Sequence, residues 1–519
     1  GIISRIIGLL YRVPITAIIG DQGNGYYGAA YEIYAVVLLI SSYSIPMAVS
    51  KIISERLALK EYRNVYKIFK CSLIYVLVVG GIASLLTFIF AKELVDVNGG
   101  VLPLRIMAPT ILLSGILSVF RGYFQAYNTM VPTSVSQILE QILNCIVSIT
   151  AAYIFVTAAT DPNQIPVVGV AGSALGTGVG VLIGLVFMIF IFLMNKNTIN
   201  KYLRRDKTQS DETYKDIFKI ILLTVTPVIF STFIYNVSTS LDMKIYFWVM
   251  DIKGYTEEKM TIGYGIFSGK YRVLQNVPIA ISSAVSSAMI PSIAASYIKN
   301  DLDATKRNIG IAIRGTMFIS IPAAVGMGVL AGPIMELLFP GTVKTAGMLL
   351  SAGCISIILY AIATISNGAL QGIGRMKEPL KNAIIALIIH SIVIVLLLFF
   401  TKWNLFAILI STIVYALSMC ILNQYSIRKY LGYKQEIKNT FLGPGFASLI
   451  MGAFAYASYT LLYMVTKINS ISVIVAIFVA SIIYFIIIMK LGVVSEEELN
   501  RLPKGRFMVR VARKTRLLK

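Results

Sequence analysis

Apolar runs about as long as a bilayer is thick follow one another along almost the whole of this 519-residue chain. A spanning helix needs about 20 mostly apolar residues, and only helices or closed barrels can satisfy their backbone in lipid. The runs fall at roughly 2–19, 27–54, 66–91, 102–127, 132–159, 166–194, 217–250, 262–298, 308–331, 344–371, 379–401, 404–430, 440–465 and 469–490. They are far too long for barrel strands. About fourteen transmembrane helices are therefore expected, in an all-α integral membrane protein. Composition agrees: 57% of residues are hydrophobic and 13% charged, against about 45–50% and about 25% in soluble domains.

The net charge of +22 would suggest a nucleic-acid partner in a soluble protein. Here the basic residues sit between apolar runs, so topology accounts for them and no nucleic acid is expected. Alternate connections hold basic clusters: Lys51 to Lys70, Lys196 to Lys219, Lys299 to Arg307, Arg375 to Lys381, and Arg428 to Lys438. The tail adds a set from Arg501 to Lys519. The opposite connections carry Asp21, Glu93, Asp96, Asp161, Glu257 and Glu258 instead. Both termini are expected in the cytoplasm of a multi-pass protein of the bacterial cytoplasmic membrane. The four cysteines lie in apolar runs without a CxxC pair, so neither a metal site nor a disulfide framework is readable.

An internal repeat is legible. Gly122–Gln125 resembles Gly368–Gln371, each followed by a polar turn and a proline, Pro132 and Pro379. Asn64 to Lys70 and Asn308 to Arg314 open runs that both follow basic connections. Both matches lie about 245 residues apart, which points to duplication of a six-helix unit. The expected organisation is an N-lobe at 1–210 (helices 1–6), a C-lobe at 211–435 (helices 7–12), helices 13–14 at 436–491, and a basic tail at 492–519. The two lobes would be related by a pseudo-two-fold axis.

Ionisable groups inside membrane helices are costly and mark functional sites. The first run has Arg5 and Arg12, with Gly8 on the same face. The second opens with Tyr26, Tyr27, Tyr31, Glu32 and Tyr34, and the fifth has a stripe of Gln137, Glu140, Gln141 and Asn144. Asp242 and Lys244 follow in the seventh, and Lys270 and Arg272 in the eighth. Arg5, Arg12, Lys270 and Arg272, with Glu32, are candidate substrate-binding residues. A guanidinium binds two phosphate oxygens at once, so a cationic cavity points to an anionic lipid head group. Plainer readings stand beside these: arginines near helix ends snorkel, and Glu32 fits a solvated helix end. Lys270 and Arg272, two residues apart, cannot both face one cavity on a regular helix, though Gly263, Gly265 and Gly269 can loosen it. Asp242 fits either a structural ion pair with Lys244, Lys270 or Arg272, or a coupling-cation site. His390 fits a hydrogen-bonded core residue, and Gly172, Gly176, Gly180 and Gly184 give one helix a smooth packing face.

Ser4 to Arg12, then Ile19 to Tyr27, Ser44 to Lys51, and Tyr271 to Ser292 resemble the stage V sporulation protein B family of Gram-positive bacteria. That family includes the Bacillus-type MurJ lipid II flippases of the multidrug/oligosaccharidyl-lipid/polysaccharide (MOP) exporter superfamily. The resemblance implies a two-lobed, fourteen-helix fold and transport of undecaprenyl-diphosphate-linked sugars. It places Arg5 and Arg272 on the family's cavity arginines. A second first-helix arginine falls on Tyr11, with Arg12 one place later. The second-helix arginine has no counterpart in Val36–Ile40. Asp242 matches a cation-site carboxylate, with Asn382 as its neighbour.

The reading is a lipid II flippase working by alternating access, in cell-wall synthesis or sporulation, with no enzymatic step. Its partners would be a lipid-linked oligosaccharide, membrane lipids and cell-wall synthesis enzymes. It would use no bound cofactor or metal, only a coupling cation (Na+ or H+) or the membrane potential. The alternatives are a flippase for another lipid-linked polysaccharide unit and a cation-coupled drug exporter. A membrane enzyme would need catalytic carboxylates or histidines beside an ordered outer loop, which these short connections do not offer.

Overall fold

The computed structural model describes residues 7–8, 11–43, 45–127, 129–206, 208, 212–492 and 510, and all regular structure among them is helical. The main helices are α1 Arg12–Leu38, α2 Ile45–Ala58, α3 Tyr62–Ile89, α4 Val101–Ala126, α5 Val131–Ala158, α6 Ile165–Met194, α7 Tyr214–Ile252 and α8 Glu257–Gly265. They continue as α9 Arg272–Ile298, α10 Leu302–Val329, α11 Lys344–Gly372, α12 Lys377–Phe400, α13 Leu405–Leu431, α14 Gly443–Thr466 and α15 Asn469–Lys490. Twelve segments among the described residues are long and apolar enough to cross a membrane, with Arg12–Ala58 as one of them. The described end of the run expected at 2–19 joins the run expected at 27–54 in that one segment, and the run expected at 217–250, which forms α7, is outside the set.

The connection expected at 20–26 is a correction. Helix resumes at once after Gly20, whose φ of 69° and ψ of −175° break α1 into two arms. A positive φ with extended ψ is open to glycine and costly for other residues. Two other expected spans are interrupted by π-helical turns, Leu39–Tyr43 between α1 and α2 and Ile266–Tyr271 between α8 and α9.

The helices sort into two compact units, Gly1–Gly269 and Lys270–Lys519. In lipid, helix association rests on close van der Waals packing and polar contacts rather than on water exclusion, so small residues gather at the seams. In the first unit α3 packs on α4, α4 on α6, and α5 on α6. The glycine face of α6 does what its pattern suggests: a Cβ at Gly176 would lie 2.0 Å from Ser148 Oγ, and one at Gly180 2.6 Å from the Glu140 carbonyl oxygen. A second seam joins α1 to α8. There a Cβ at Gly25 would lie 2.0 Å from the Thr261 carbonyl oxygen, and one at Gly265 1.9 Å from that of Asp21.

Beyond α6 runs a short helix, Lys196–Arg205, whose Tyr202 stacks on Tyr62. Asp206 then accepts from the Arg63 N–H at 2.7 Å, and Glu212 pairs with Arg56. In the second unit, Glu436, which follows α13, pairs in the same way with Arg314 of α10.

The second unit repeats the packing scheme of the first, with α10 on α11, α11 on α13, and α12 on α13. The repeated glycines occupy matching places. A Cβ at Gly122 of α4 would meet the Pro46 carbonyl oxygen of α2 at 2.9 Å, and one at Gly368 of α11 would meet Ser286 Oγ and Ile290 of α9. Helices α14 and α15 pack together, and α14 lies against α10.

Candidate functional site

Gly20 sets the geometry of the first unit's charged site. It folds the two arms of α1 onto each other, so residues on either side of it meet. The Arg12 guanidinium carbon lies 4.5 Å from the centre of the Tyr27 ring and 5.6 Å from that of Tyr11. Tyr27 stacks on Tyr31 with centroids 5.7 Å apart, and Tyr31 meets Tyr34 at 5.8 Å. Tyr27 and Tyr34 are buried, whereas Tyr31 is 38% exposed. Among the described residues no carboxylate lies within 4.0 Å of Arg12 to form an ion pair. Its positive charge faces aromatic rings, which favour a cation without cancelling it.

Other cations of this unit are neutralised. Arg121 of α4 donates to Glu140 of α5 at 2.7 Å and to Ser136 at 2.9 Å. The polar stripe of α5 is legible in the sequence, whereas Arg121, one of two arginines in its apolar run, carries no sequence signal that pairs it with Glu140. Lys244 turns away from Asp242 and reaches Asp96 at 3.0 Å and the Leu94 carbonyl at 2.5 Å. Glu257, at the start of α8, accepts from Asn98 at 3.0 Å.

Glu32 is half-buried and accepts from Thr239 at 2.9 Å and from Ser240 at 3.4 Å, both on α7. It is thus tied to a neighbouring helix. Asp242 is 2% exposed and engaged in polar interaction. Gly8 faces the α5 stripe, since a Cβ there would lie 3.2 Å from Gln141 Oε1. Arg5 lies outside the described residues.

In the second unit Lys270 is buried in the π-helical turn. Its Nζ donates to Thr342 Oγ1 at 2.9 Å and lies 5.9 Å from the Phe339 ring centre. Arg272, half-buried, opens α9 and is also engaged. Between them Tyr271 is fully buried. Its hydroxyl meets Ser356 Oγ at 3.3 Å, and Gln275 donates to the same oxygen at 2.6 Å. Turns of this kind shift helical register and recur at functional sites.

Asn382 donates to Asn423 at 2.9 Å and to Ser426 at 3.1 Å, and Asn423 donates on to Asn367 at 2.7 Å. This buried amide network joins α11, α12 and α13 within one unit, while Asp242 belongs to the other. His390 is a hydrogen-bonded core residue, with Nδ1 2.8 Å from the Ser411 carbonyl oxygen.

Residues 1–296 match the family described as polysaccharide biosynthesis protein, and residues 274–397 the family described as MatE. The chain is 24% identical over 452 residues to the Lipid II flippase MurJ of Bacillus subtilis (strain 168), covering 84% of this chain and 82% of the relative. It is 22% identical over 515 residues to the Stage V sporulation protein B of the same organism, covering 98% and 97%. Among solved structures, "Lipid II flippase MurJ, inward closed conformation" superposes with a TM-score of 0.69 at 16% identity, over 93% of this chain and 96% of that one. An inward-facing multidrug resistance MATE family transporter of the MOP superfamily gives 0.61 at 14% identity, over 82% and 95%. These likenesses show the fold. With the apolar helices, they make the chain a multi-pass membrane protein.

Proposed function

Because this chain belongs to the polysaccharide biosynthesis protein family, within the MOP superfamily, we propose that it is a flippase for an undecaprenyl-diphosphate-linked cell-wall precursor, lipid II. The precursor passes from the inner to the outer leaflet by alternating access. Both termini are cytoplasmic. A cation gradient or the membrane potential drives the cycle, and Asp242 and Asn382 are the candidate coupling-ion residues.

The observation that carries this reading is Arg12: a guanidinium at the first residue of an apolar, membrane-length segment, held against tyrosine rings and without an ion-pairing carboxylate among the described residues. Such a cation is suited to a diphosphate. Arg5, Lys270 and Arg272 are further phosphate ligands in this reading, and Glu32 faces the sugars. The relative described as a lipid II flippase, aligned over most of both chains, supports this substrate. The family description favours a second reading, a flippase for another lipid-linked polysaccharide unit.

The test replaces a cell's own lipid II flippase with this protein, or with its Arg12→Ala or Arg272→Ala variant, at matched membrane levels. Lipid II exposed on the outer leaflet is the readout. Exposure by the parent and loss in the variants is the expected result. A well-inserted parent that exposes none would move the substrate to another lipid-linked glycan. Equal exposure from all three would remove these arginines from the mechanism.

A further inference from the structure

We infer that the short helix Lys196–Arg205 and the turn before α3 form a binding surface for anionic phospholipid head groups, held by charge and not by insertion into the acyl layer. The inference needs only that the chain spans a membrane, and is independent of what it carries.

Helix α6 has 30 residues, Ile165–Met194, and is one of the membrane-length segments. At a rise of about 1.5 Å per residue its length is about 45 Å, the thickness of a bilayer with its head-group layers. Only Asn195 separates its end from the short helix. The short helix therefore starts at head-group depth, with no connection long enough to carry it away. Leu193 and Met194, the last residues of α6, are exposed, as suits an end in contact with lipid.

On the short helix Ile199, Tyr202 and Leu203 share one face. Ile199 packs against the first unit's core, Leu203 is half-buried, and Tyr202 stacks on Tyr62 at 5.0 Å with the planes 17° apart. An interfacial helix ordinarily turns its apolar face into the lipid. Here that face is used against the protein, and Lys196, Lys201 and Arg204 lie on the exposed side.

Lys60 and Arg63, close in sequence to the stacked Tyr62, are exposed as well. The neighbouring carboxylates turn inward. Glu61 and Glu212 pair with Arg56, and Asp206 is buried against the Arg63 and Thr208 amides. Among the described residues none of these five exposed cations has an ion pair within 4.0 Å. Glu55 and Asp216 stay exposed, outnumbered by the cations. Membrane orientation asks only that cations lie in a connection. It does not ask for a helix docked by stacking, with its cations outward and the acids consumed inside. Cations held at head-group depth fit a surface of phosphate monoanions such as phosphatidylglycerol.

The test reads the lipid beside this helix. Both tryptophans of the chain, Trp248 and Trp403, are exposed and are replaced by Phe. Phe190→Trp, at a 57% exposed position in the last turns of α6, is then the single reporter. The full chain is placed in bilayers of phosphatidylglycerol and phosphatidylcholine in equal parts. Quenching by chain-brominated phosphatidylglycerol is compared with quenching by chain-brominated phosphatidylcholine. The reporter chain should favour phosphatidylglycerol by about fivefold, the scale of one cation at an anionic surface. Salt at about 0.5 M should remove most of that preference. Lys196→Gln, Lys201→Gln and Arg204→Gln together should abolish it. Lys299→Gln, Lys381→Gln and Lys434→Gln, which remove the same charge from exposed positions of the second unit, should leave it intact. No preference in the reporter chain, a preference kept by the first triple variant, or equal loss in both would overturn the site. A preference unmoved by salt would overturn binding by charge.

Discussion

Arg121 and Glu140 close an ion pair of 2.7 Å between α4 and α5, and the two side chains are only 14% and 21% exposed. Removing one partner leaves the other charge stranded in a poor dielectric, whereas replacing both with apolar groups removes the problem. Glu140→Gln is therefore expected to lower stability by about 1–3 kcal/mol. The double variant Arg121→Met with Glu140→Leu should recover most of the loss. Thermal unfolding in detergent reads both, and an unaltered single variant would show that the pair has no structural role.

Tyr27 holds Arg12 by its face rather than by its hydroxyl. Tyr27→Phe should leave binding of a diphosphate-linked lipid near the parent level. Tyr27→Leu should weaken it about fivefold, the scale of a partly desolvated cation–π contact. Titration of nanodisc-embedded protein measures both. Equal weakening by the two variants would point to the hydroxyl instead.

The seam between α1 and α8 has backbone against backbone, so nothing flexible can yield to a new methyl group. Gly265→Ala should cost about 1–3 kcal/mol or prevent folding altogether. Gly81→Ala in α3, where a Cβ would meet nothing within 4 Å, should fold normally and gain slightly from better helix propensity. Size-exclusion profiles and melting temperatures of the two variants separate these outcomes.

Asp206 gives a pH signature. Burial opposes its charged form, but hydrogen bonds from the Thr208 side chain and from the Arg63 and Thr208 amides outweigh it and hold the carboxyl below its ordinary value of 3.8. A carboxyl depressed in the fold contributes stability above that ordinary value, and the contribution disappears as pH falls through the folded value. Asp206→Asn should therefore melt below the parent at neutral pH, and the gap should close only in acid below 3.8. A gap that does not change with pH would assign the effect to lost shape rather than lost charge.

Helix positions were largely readable from the chain. The runs expected at 132–159 and 379–401 became Val131–Ala158 and Lys377–Phe400, because bilayer thickness fixes the length of an apolar run and polar turns end it. The repeat was readable for a related reason. Gly122 and Gly368 each serve a close helix approach that tolerates no side chain. What the chain concealed was pairing at a distance. Arg121 looked like an isolated charge until α5 brought Glu140 beside it, and Asn382 gave no sign of Asn423 or Asn367. The π-helical turn at Ile266–Tyr271 is half-legible: Gly263, Gly265 and Gly269 permit a loosened helix, but the close approach of Gly265 and Gly269 to α1 is visible only in the fold.

The reversal at Gly20 is one residue long, which makes connection length a form of information. A helix turns by about 100° for each residue added. One extra residue after Gly20 would rotate the second arm by that angle, carrying Tyr27 out from under Arg12 and Gly25 off Thr261 together. The charged site and the packing seam thus share a single phase. A change in chain length here would be felt at both, even if every side chain kept its identity.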